Sequence, residues 1–479
     1  MNDVQKTLAF VGVAAVLTVG AAFRMPRHKP AESFGDQGKA FYPDFTDPMK
    51  AAALEVVEFD EPTATARPFK VEFRNGKWII PSHHNYPADA KDRLARTAAS
   101  VIDLKRDVVR SDREKDHEAF GVIDPLDANE KTPLKGRGKR VTLRDAEGKV
   151  LADFILGKET RDGSGQRYVR LPDQKRVYGV KTRADVSGKF ADWIETDLLK
   201  CTASTLRRIT IDNYSVDEQE GKLINRQTYA LARDDGVAAF KLFEMTDKEE
   251  INTENVTAMT GALDDLRIVG VRRKPDAISR DLRINGDISK ISQATAIELQ
   301  RRGFFVTRQG IFSNEGEIEA KCDDGVVYTL RFGEVLFGHG DEVTSGAEPK
   351  DPKKEGSENR YLFATAGFDE GALGVPPAAP PPLVPDPAWT EEQKKQKEAD
   401  HKIAVEDHQR KKKEFDDKFA AGKKRAQELT DRFADWYYVI SADYFKKLRK
   451  GRADLVKPKE EKKPDEPKKP EDPHKHDHK

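Results

Sequence analysis

Val71–Ile80 reads VEFRNGKWII: two short alternating runs around Asn75-Gly76, with Trp78 in the second. Asn-Gly between alternating runs is a strong short-range signal for a β-hairpin. A helix-like stretch follows from Ala88, and then the basic run DLKRDVVR (Asp103–Arg110). The same sentence recurs downstream. Tyr229–Phe243, YALARDDGVAAFKLF, again reads as two strands around a turn, Asp234-Asp235-Gly236. A helix-like stretch from Asn252 follows, and then DLRIVGVR (Asp265–Arg272). A repeat of this size points to two duplicated folding units.

Outward from the first hairpin, Leu54–Phe59 alternates like a strand, and Leu94, Ala98, Val101 and Ile102 space as one helical face. Strands are expected at Val141–Arg144, Leu151–Leu156, Tyr168–Leu171 and Val177–Val180, and a short amphipathic helix at Ala184–Trp193. In the second unit, strands are expected at Leu206–Ile211, Phe304–Arg308, Ile311–Ser313, Val326–Phe332 and Glu334–Phe337. Short strings pair across the units: VTLR with YTLR, FILGKE with RFGEVLFG, RYVRL (Arg167–Leu171) with RYLFA (Arg360–Ala364). After RYLFA the next strand is missing. A Gly/Pro/Ala-rich connector (367–388) and a long charged stretch, Glu391–Arg425, stand in its place. Asp435–Leu448, DWYYVISADYFKKL, then matches Arg176–Phe190 in order, so the second unit is interrupted and Asp435–Leu448 completes it. The few apolar residues of Glu391–Arg425 argue for a solvated helical arm over a strong coiled coil.

The expected fold class is therefore α+β: two tandem related units, each a mainly antiparallel sheet with one or two packed helices, plus a long charged helical insertion in the second. The expected segments are an N-terminal anchor at 1–23, a linker at 24–50 and a first unit at 51–200. The second unit takes 201–366 and 431–455, the insertion 367–430, and a disordered Lys/Glu/Pro tail 456–479.

Lys+Arg and Asp+Glu balance at 84 each, so there is no global basic excess of the kind nucleic-acid binders carry. Thr7–Phe23 has no charged residue and is flanked by Lys6 and Arg24. Its length is at the short end of the roughly 17–25 residues of a membrane span. It reads as an uncleaved anchor; a cleaved signal peptide, using Gly20, Ala21 and Ala22, is the competing reading. Arg24, Arg27 and Lys29 follow the span and would favour a cytoplasmic bulk by the positive-inside rule. Two cysteines, Cys201 and Cys322, exclude a disulfide-rich scaffold or a Cys-based zinc site. Two buried free thiols are expected of them, and a bridge is the alternative in an oxidising compartment.

Motifs that carry chemistry fail. Gly157-Lys158 resembles the end of a phosphate loop, but Ala152 and Glu159 occupy positions that need Gly and Ser/Thr. His83-His84 reads as a solvated loop pair, since adjacent residues on a strand point apart. His474, His476 and His478 read as part of a polar tail. The basic runs read as strands with apolar residues inward (Leu266, Ile268, Val108) and charge outward, and the aromatics Trp78, Tyr168, Tyr178, Tyr361, Trp436, Tyr437 and Tyr438 as core. No catalytic, cofactor-binding or metal-binding residue is assigned.

The strings NGKWIIPSHHNYPADAKDRL, VRSDREKDHEAFGVIDP, LGKETRDGSGQRYVRLPDQKRVYGV and FADWIETDLL resemble the domain of unknown function 4340 family. The resemblance covers most of the first unit and, more faintly, the second. It implies a single-span protein with an extracytoplasmic domain, of a kind often encoded beside gliding-motility-type ABC transporter components. It carries no catalytic residues. The expectation is a non-enzymatic accessory or scaffold protein of the inner membrane, anchored through Thr7–Phe23, with its bulk periplasmic (the alternative being cytoplasmic-facing). It would contact an ABC-type transporter subunit through the 391–425 arm. An envelope hydrolase using carboxylates between the units, or a ligand-binding sensor, are the alternatives.

Overall fold

A computed structural model describes residues 35–459 apart from 130, 185, 218–219, 221, 286–291, 308–309, 339–340 and 346–356. Thr7–Phe23 and the tail histidines His474, His476 and His478 lie outside the described residues.

The first repeat opens with β1 (Ala53–Asp60) and the hairpin β2 (Thr65–Arg74) and β3 (Lys77–Ile80), followed by β4 (Tyr86–Pro87). Asn75 and Gly76 both take positive φ, 51° and 75°, the conformation of a two-residue hairpin turn. Arg74 then faces Lys77 and Phe73 faces Trp78. Helix α1 (Lys91–Ile102) buries Leu94, Thr97, Ala98 and Val101, an i, i+3, i+4, i+7 stripe. After β5 (Val108–Ser111) and the single turn α2 (His117–Phe120) come β6 (Lys139–Arg144), β7 (Val150–Glu159), β8 (Gln166–Arg170) and β9 (Val177–Lys181).

The second repeat runs β10 (Leu206–Asp217), β11 (Lys222–Ala232), β12 (Lys241–Leu242), β13 (Glu249–Ile251), α3 (Thr253–Asp264), β14 (Gly270–Arg273), α4 (Asp276–Asn285) and α5 (Gln293–Gln300). It continues with β15 (Phe304–Thr307), β16 (Gly310–Ser313), β17 (Glu317–Cys322), β18 (Val326–Gly338), α6 (Asp341–Thr344) and β19 (Ser357–Phe368). The 44-residue helix α7 (Glu391–Ala434), β20 (Trp436–Ser441), α8 (Ala442–Leu448), α9 (Arg452–Leu455) and β21 (Val456–Pro458) close it.

The strand order is β2–β1–β6–β7–β8–β9–β5 in the first repeat and β11–β10–β17–β18–β19–β20–β14 in the second. The strand pairings in both sheets are antiparallel, and the register of β8–β9 agrees with that of β19–β20. Arg167 faces Val180 and Tyr168 faces Gly179 in one; Arg360 faces Ile440 and Tyr361 faces Val439 in the other. Val108 faces Gly179 and Gly270 faces Val439; β5 then bulges at Arg110, so that Ser111 faces Val177 where Arg272 faces Tyr437. The duplication is thus a duplication of topology, and β20 completes the second sheet as β9 completes the first.

A local signature repeats with it. Gly157 and Gly333 sit where the β7–β8 and β18–β19 registers shift. Arg167 donates to the Gly157 carbonyl at 2.7 Å, and Arg360 to the Gly333 carbonyl at 2.7 Å. A Cβ on Gly157 would lie 2.5 Å from the Phe120 carbonyl oxygen, and one on Gly333 2.1 Å from that of Arg302. Each contact is followed by a positive-φ glycine, Gly121 or Gly303, and a buried apolar residue, Val122 or Phe304. Gly157-Lys158, the phosphate-loop look-alike, is this bulge.

Four expectations are corrected. Val326–Phe332 and Glu334–Phe337 are one strand, β18, bulged between Phe332 and Val335. The equivalent of Val141–Arg144 is the unexpected β17, so VTLR and YTLR lie on non-equivalent strands. Ala184–Trp193 holds only a 3-10 turn at Phe190–Trp193. There the Ser187 hydroxyl bonds Asp192 and the Lys189 amide, and the Trp193 indole donates to the Ser187 carbonyl, competing with a helical ladder. Arg272 is buried, donating to the carbonyls of Val271 and Val343, while Val108 is exposed. At the C-terminus, Val456–Pro458 pair with Glu249–Ile251, so regular structure enters the start of the expected tail.

Two compact units result. One holds the described residues up to Pro68 together with Leu94–Val186; the other holds Phe69–Arg93 and the chain from Ser187 on. The hairpin end of the first repeat therefore belongs to the compact body that contains the second sheet.

Candidate functional site

The element with the least structural explanation is α7. Thr390 caps it, its hydroxyl accepting from the Gln393 amide while the Gln393 side chain accepts from the Thr390 amide, and Glu391 and Glu392 complement the positive end of its dipole. Its first buried residue is Gly422. The 31 residues before that, Glu391–Ala421, rise about 46 Å at 1.5 Å per residue. The extended connector 374–386 reaches about 40 Å at 3.1 Å per residue. It must run from the turn Glu370–Leu373, which touches α7, out to Thr390 at the helix start. Pro377, Pro380 and Leu383 are half-buried at every third position, and on α7 His401, Val405, His408, Phe415 and Phe419 are half-buried on one stripe. Most of the rest of the arm's surface faces solvent.

That surface carries both signs in close alternation. Lys394 pairs with Glu391 at 2.8 Å, Lys411 with Asp407 at 2.7 Å, and Lys412 with Asp416 at 2.7 Å. Such exposed pairs contribute a few tenths of a kcal/mol each. They keep the helix soluble without giving it a net sign, which fits a protein partner better than an anionic polymer.

The root of the arm is fastened. Arg425 donates to the Asp324 carboxylate, the Lys200 carbonyl and, at 3.0 Å, the Tyr328 hydroxyl. Gly422 lies so close to the Asp324 carbonyl that a Cβ would fall 1.9 Å from it. Phe419 packs edge-on against Phe368, and Ala426, Leu429 and Phe433 are buried. Lys274, fully buried, donates to the Phe433 carbonyl at 2.9 Å and sits 3.9 Å over the Phe363 ring. Burial drives its pKa well below the usual lysine value.

Beside the root, Trp78, Tyr86 and Trp436 line a cleft of 710 Å³ with charged neighbours. The charges answer one another: Arg283 binds Asp435 at 2.6 Å, and Lys200 meets Glu195 at 3.2 Å. Tyr86 packs edge-on against Trp436, 4.9 Å between ring centres. The other compact unit has its own polar cleft of 660 Å³. Within it Arg140 binds Asp124 at 2.9 Å, and the Asn129 amide and Thr132 hydroxyl hold Asp127 below the usual carboxylate range.

His83 and His84 do not converge on a common point. His83 is buried, stacked on Phe190 at 4.3 Å and bonded to Thr344 at 3.0 Å; burial lowers its pKa to about 4. His84 is exposed and bonds the Ser345 carbonyl. The expectation of a solvated pair therefore fails for His83, whose ring completes an aromatic contact. Cys201 and Cys322 are both buried thiols. Among the described residues, no group of three or more His, Cys, Asp or Glu side chains could hold a metal ion, and no helix is long and apolar enough to cross a membrane.

Residues 78–283 match the DUF4340 family, a domain of unknown function. The DUF4340 match begins at Trp78 in the hairpin and ends at Arg283 on α4, two residues that both line the aromatic cleft. It stops before the arm. No curated protein and no solved structure matches the chain. Sequence reading found the arm through its composition; it had no signal for the root contacts of Arg425, Lys274 and Gly422, which are set by residues far away in the chain.

Proposed function

We propose that this protein is a non-enzymatic, membrane-anchored accessory or scaffold protein of an ABC-type transport or gliding-type surface machinery. The body is the rigid part, anchored through Thr7–Phe23 with its bulk outside the cytoplasm, and the α7 arm is the contact to a transporter subunit. The observation that carries the reading is the contrast along α7. Thirty-one residues without a buried side chain project from a root held by Arg425, Gly422 and Phe433. Nothing within the fold requires a helix of that length, whereas a partner surface at a distance does. A rigid root also lowers the ordering cost of binding, because the arm is held in one direction before the partner arrives.

The test is affinity purification of the full chain from detergent-solubilised membranes. The wild type is expected to retain a transporter subunit. A variant with 375–421 replaced by a short Gly/Ser loop is expected to lose it while keeping a cooperative thermal transition within a few degrees of the wild type. Retention of the same subunit by the armless variant, or the absence of any transporter subunit from the wild-type eluate, overturns the proposal. Protease treatment of intact spheroplasts reads the orientation separately.

A further inference from the structure

The chain has two cysteines in 479 residues, and the fold brings them together. Cys201 precedes the turn Ala203–Thr205 that leads into β10, and Cys322 ends β17. Leu206 faces Cys322 in the β10–β17 pairing, and the Asp323 amide donates to the Thr205 carbonyl, tying the turn to the strand end. Both side chains are buried, 2% and 0% exposed, and each thiol shifts the other's pKa, Cys201 upward and Cys322 downward. The Cys201 thiol also lies 3.5 Å from the Leu263 carbonyl, and the Thr205 hydroxyl 3.9 Å from the Cys322 sulfur. Arg425 spans the same spot from the arm: it holds the carbonyl of Lys200, next to Cys201, and the carboxylate of Asp324, two residues past Cys322. Two buried thiols on neighbouring backbone, with no charged group bonded to either among the described residues, have no polar task that explains their placement, whereas a covalent bond here joins the lead into β10 to the end of β17, beneath the arm root.

We infer that Cys201 and Cys322 are a disulfide pair, a covalent clasp beneath the root of the arm. The inference rests on the extracytoplasmic placement argued above, where protein or low-molecular-weight disulfides are the oxidant. One cysteine thiolate attacks the oxidant RSSR and releases RS⁻; the second cysteine then displaces the other RS⁻ from the mixed disulfide. One S–S bond breaks and one forms, two cysteine thiols are oxidised, the oxidant is reduced to two thiols, and the two cysteine protons go to the departing thiolates. The exchange takes place while the chain folds, before β17 closes over the pair.

The experiment uses the full chain in membranes of its own host, quenched in acid, denatured, and treated with a bulky maleimide with and without prior reduction. No maleimide is expected without reductant and two after it; Cys201→Ser is expected to take one in both lanes. Reduction of the purified wild type is expected to lower its melting midpoint by about 5 °C or more, because the bond closes a long loop. Cys201→Ser should melt at the reduced midpoint whether reductant is present or not. Two maleimides without reductant overturn the inference. Protease mapping of the same spheroplasts then says what failed: free thiols on a body outside the cytoplasm sink the clasp alone, and free thiols on a body inside sink the orientation with it.

Discussion

The two repeats share strand order, register and bulge, yet they differ by more than fifty residues at one join. Between β8 and β9 the first repeat turns within Leu171–Arg176, and Arg170 holds that turn closed through the carbonyls of Leu171, Pro172 and Gln174. Between β19 and β20 the second repeat carries the connector and α7. The position of Arg170 is taken there by Phe363, which packs against the Lys274 amino group and Tyr437 instead of bracing a turn. The comparison teaches that this join is the one the sheet leaves free. Both strands it links are fixed by their neighbours on either side, so a long excursion costs only the weak logarithmic penalty of loop closure. A segment can then be lengthened into an arm while the sheet it leaves and re-enters stays the same.

The strongest way to break the comparison is at the shared bulge. Gly157→Ala and Gly333→Ala each drive a methyl into a backbone carbonyl that cannot swing away, Phe120 in one case and Arg302 in the other. Each is expected to destabilise by about 2–3 kcal/mol, the upper part of the range for overpacking. Urea unfolding followed by circular dichroism measures it. If one variant is near-neutral while the other unfolds, the two bulges are not the same structural device and the repeat stops at strand order.

A second variant sharpens the difference instead. Lys274 follows β14 and is buried, whereas Asp112, which follows β5, is exposed and bound to Arg176. Burial lowers the Lys274 pKa, so at pH values between the folded and unfolded pKa the unfolded chain binds a proton that the folded chain does not. The penalty grows as pH falls from the unfolded lysine value toward the depressed folded one, so stability should rise with pH across that window. Lys274→Met is expected to stabilise at pH 7 by about 1 kcal/mol and to flatten that slope. The Phe433 carbonyl keeps its bond from the Asp435 amide when the lysine is gone. A wild type whose stability is flat between pH 7 and 10, or a destabilised Lys274→Met, would mean that Lys274 is charged in the fold.

How much of this was legible in the chain follows the range of the forces involved. The hairpin at Asn75-Gly76, the stripe of α1 and the return of the chain at Trp436 are local patterns, and they read correctly. β17 was missed because its sequence, Glu317-Ile-Glu-Ala-Lys-Cys322, alternates charge with small or modest apolar residues and has no turn signal as strong as Asn-Gly before it. Its strand state comes from pairing with β10 and β18 on both sides. Arg272 reads as an outward charge because a strand with alternating Val and Arg looks amphipathic; the fold buries it by offering two carbonyls. The candidate site shows the same division. The arm is a compositional feature and stands out, whereas its root is a set of contacts made by residues 100 to 225 positions apart, as with Arg425 to Asp324 and to Lys200.

The smallest expected effect is the most telling for function. Replacing 375–421 by a short loop removes no fully buried side chain, since the first such residue of α7 is Gly422. The stripe that goes with it, from His401 to Phe419, is half-buried, and within it Phe419 packs against Phe368. The loss should therefore stay within about 1 kcal/mol, and the melting midpoint should move by no more than a few degrees. A partner-binding arm satisfies this condition by its nature: its surface is reserved for something outside the fold, so the fold does not depend on it. A large drop in the midpoint would reverse the argument, because α7 would then be a strut of the second sheet and its exposed length a by-product of holding Leu429 and Phe433 in place.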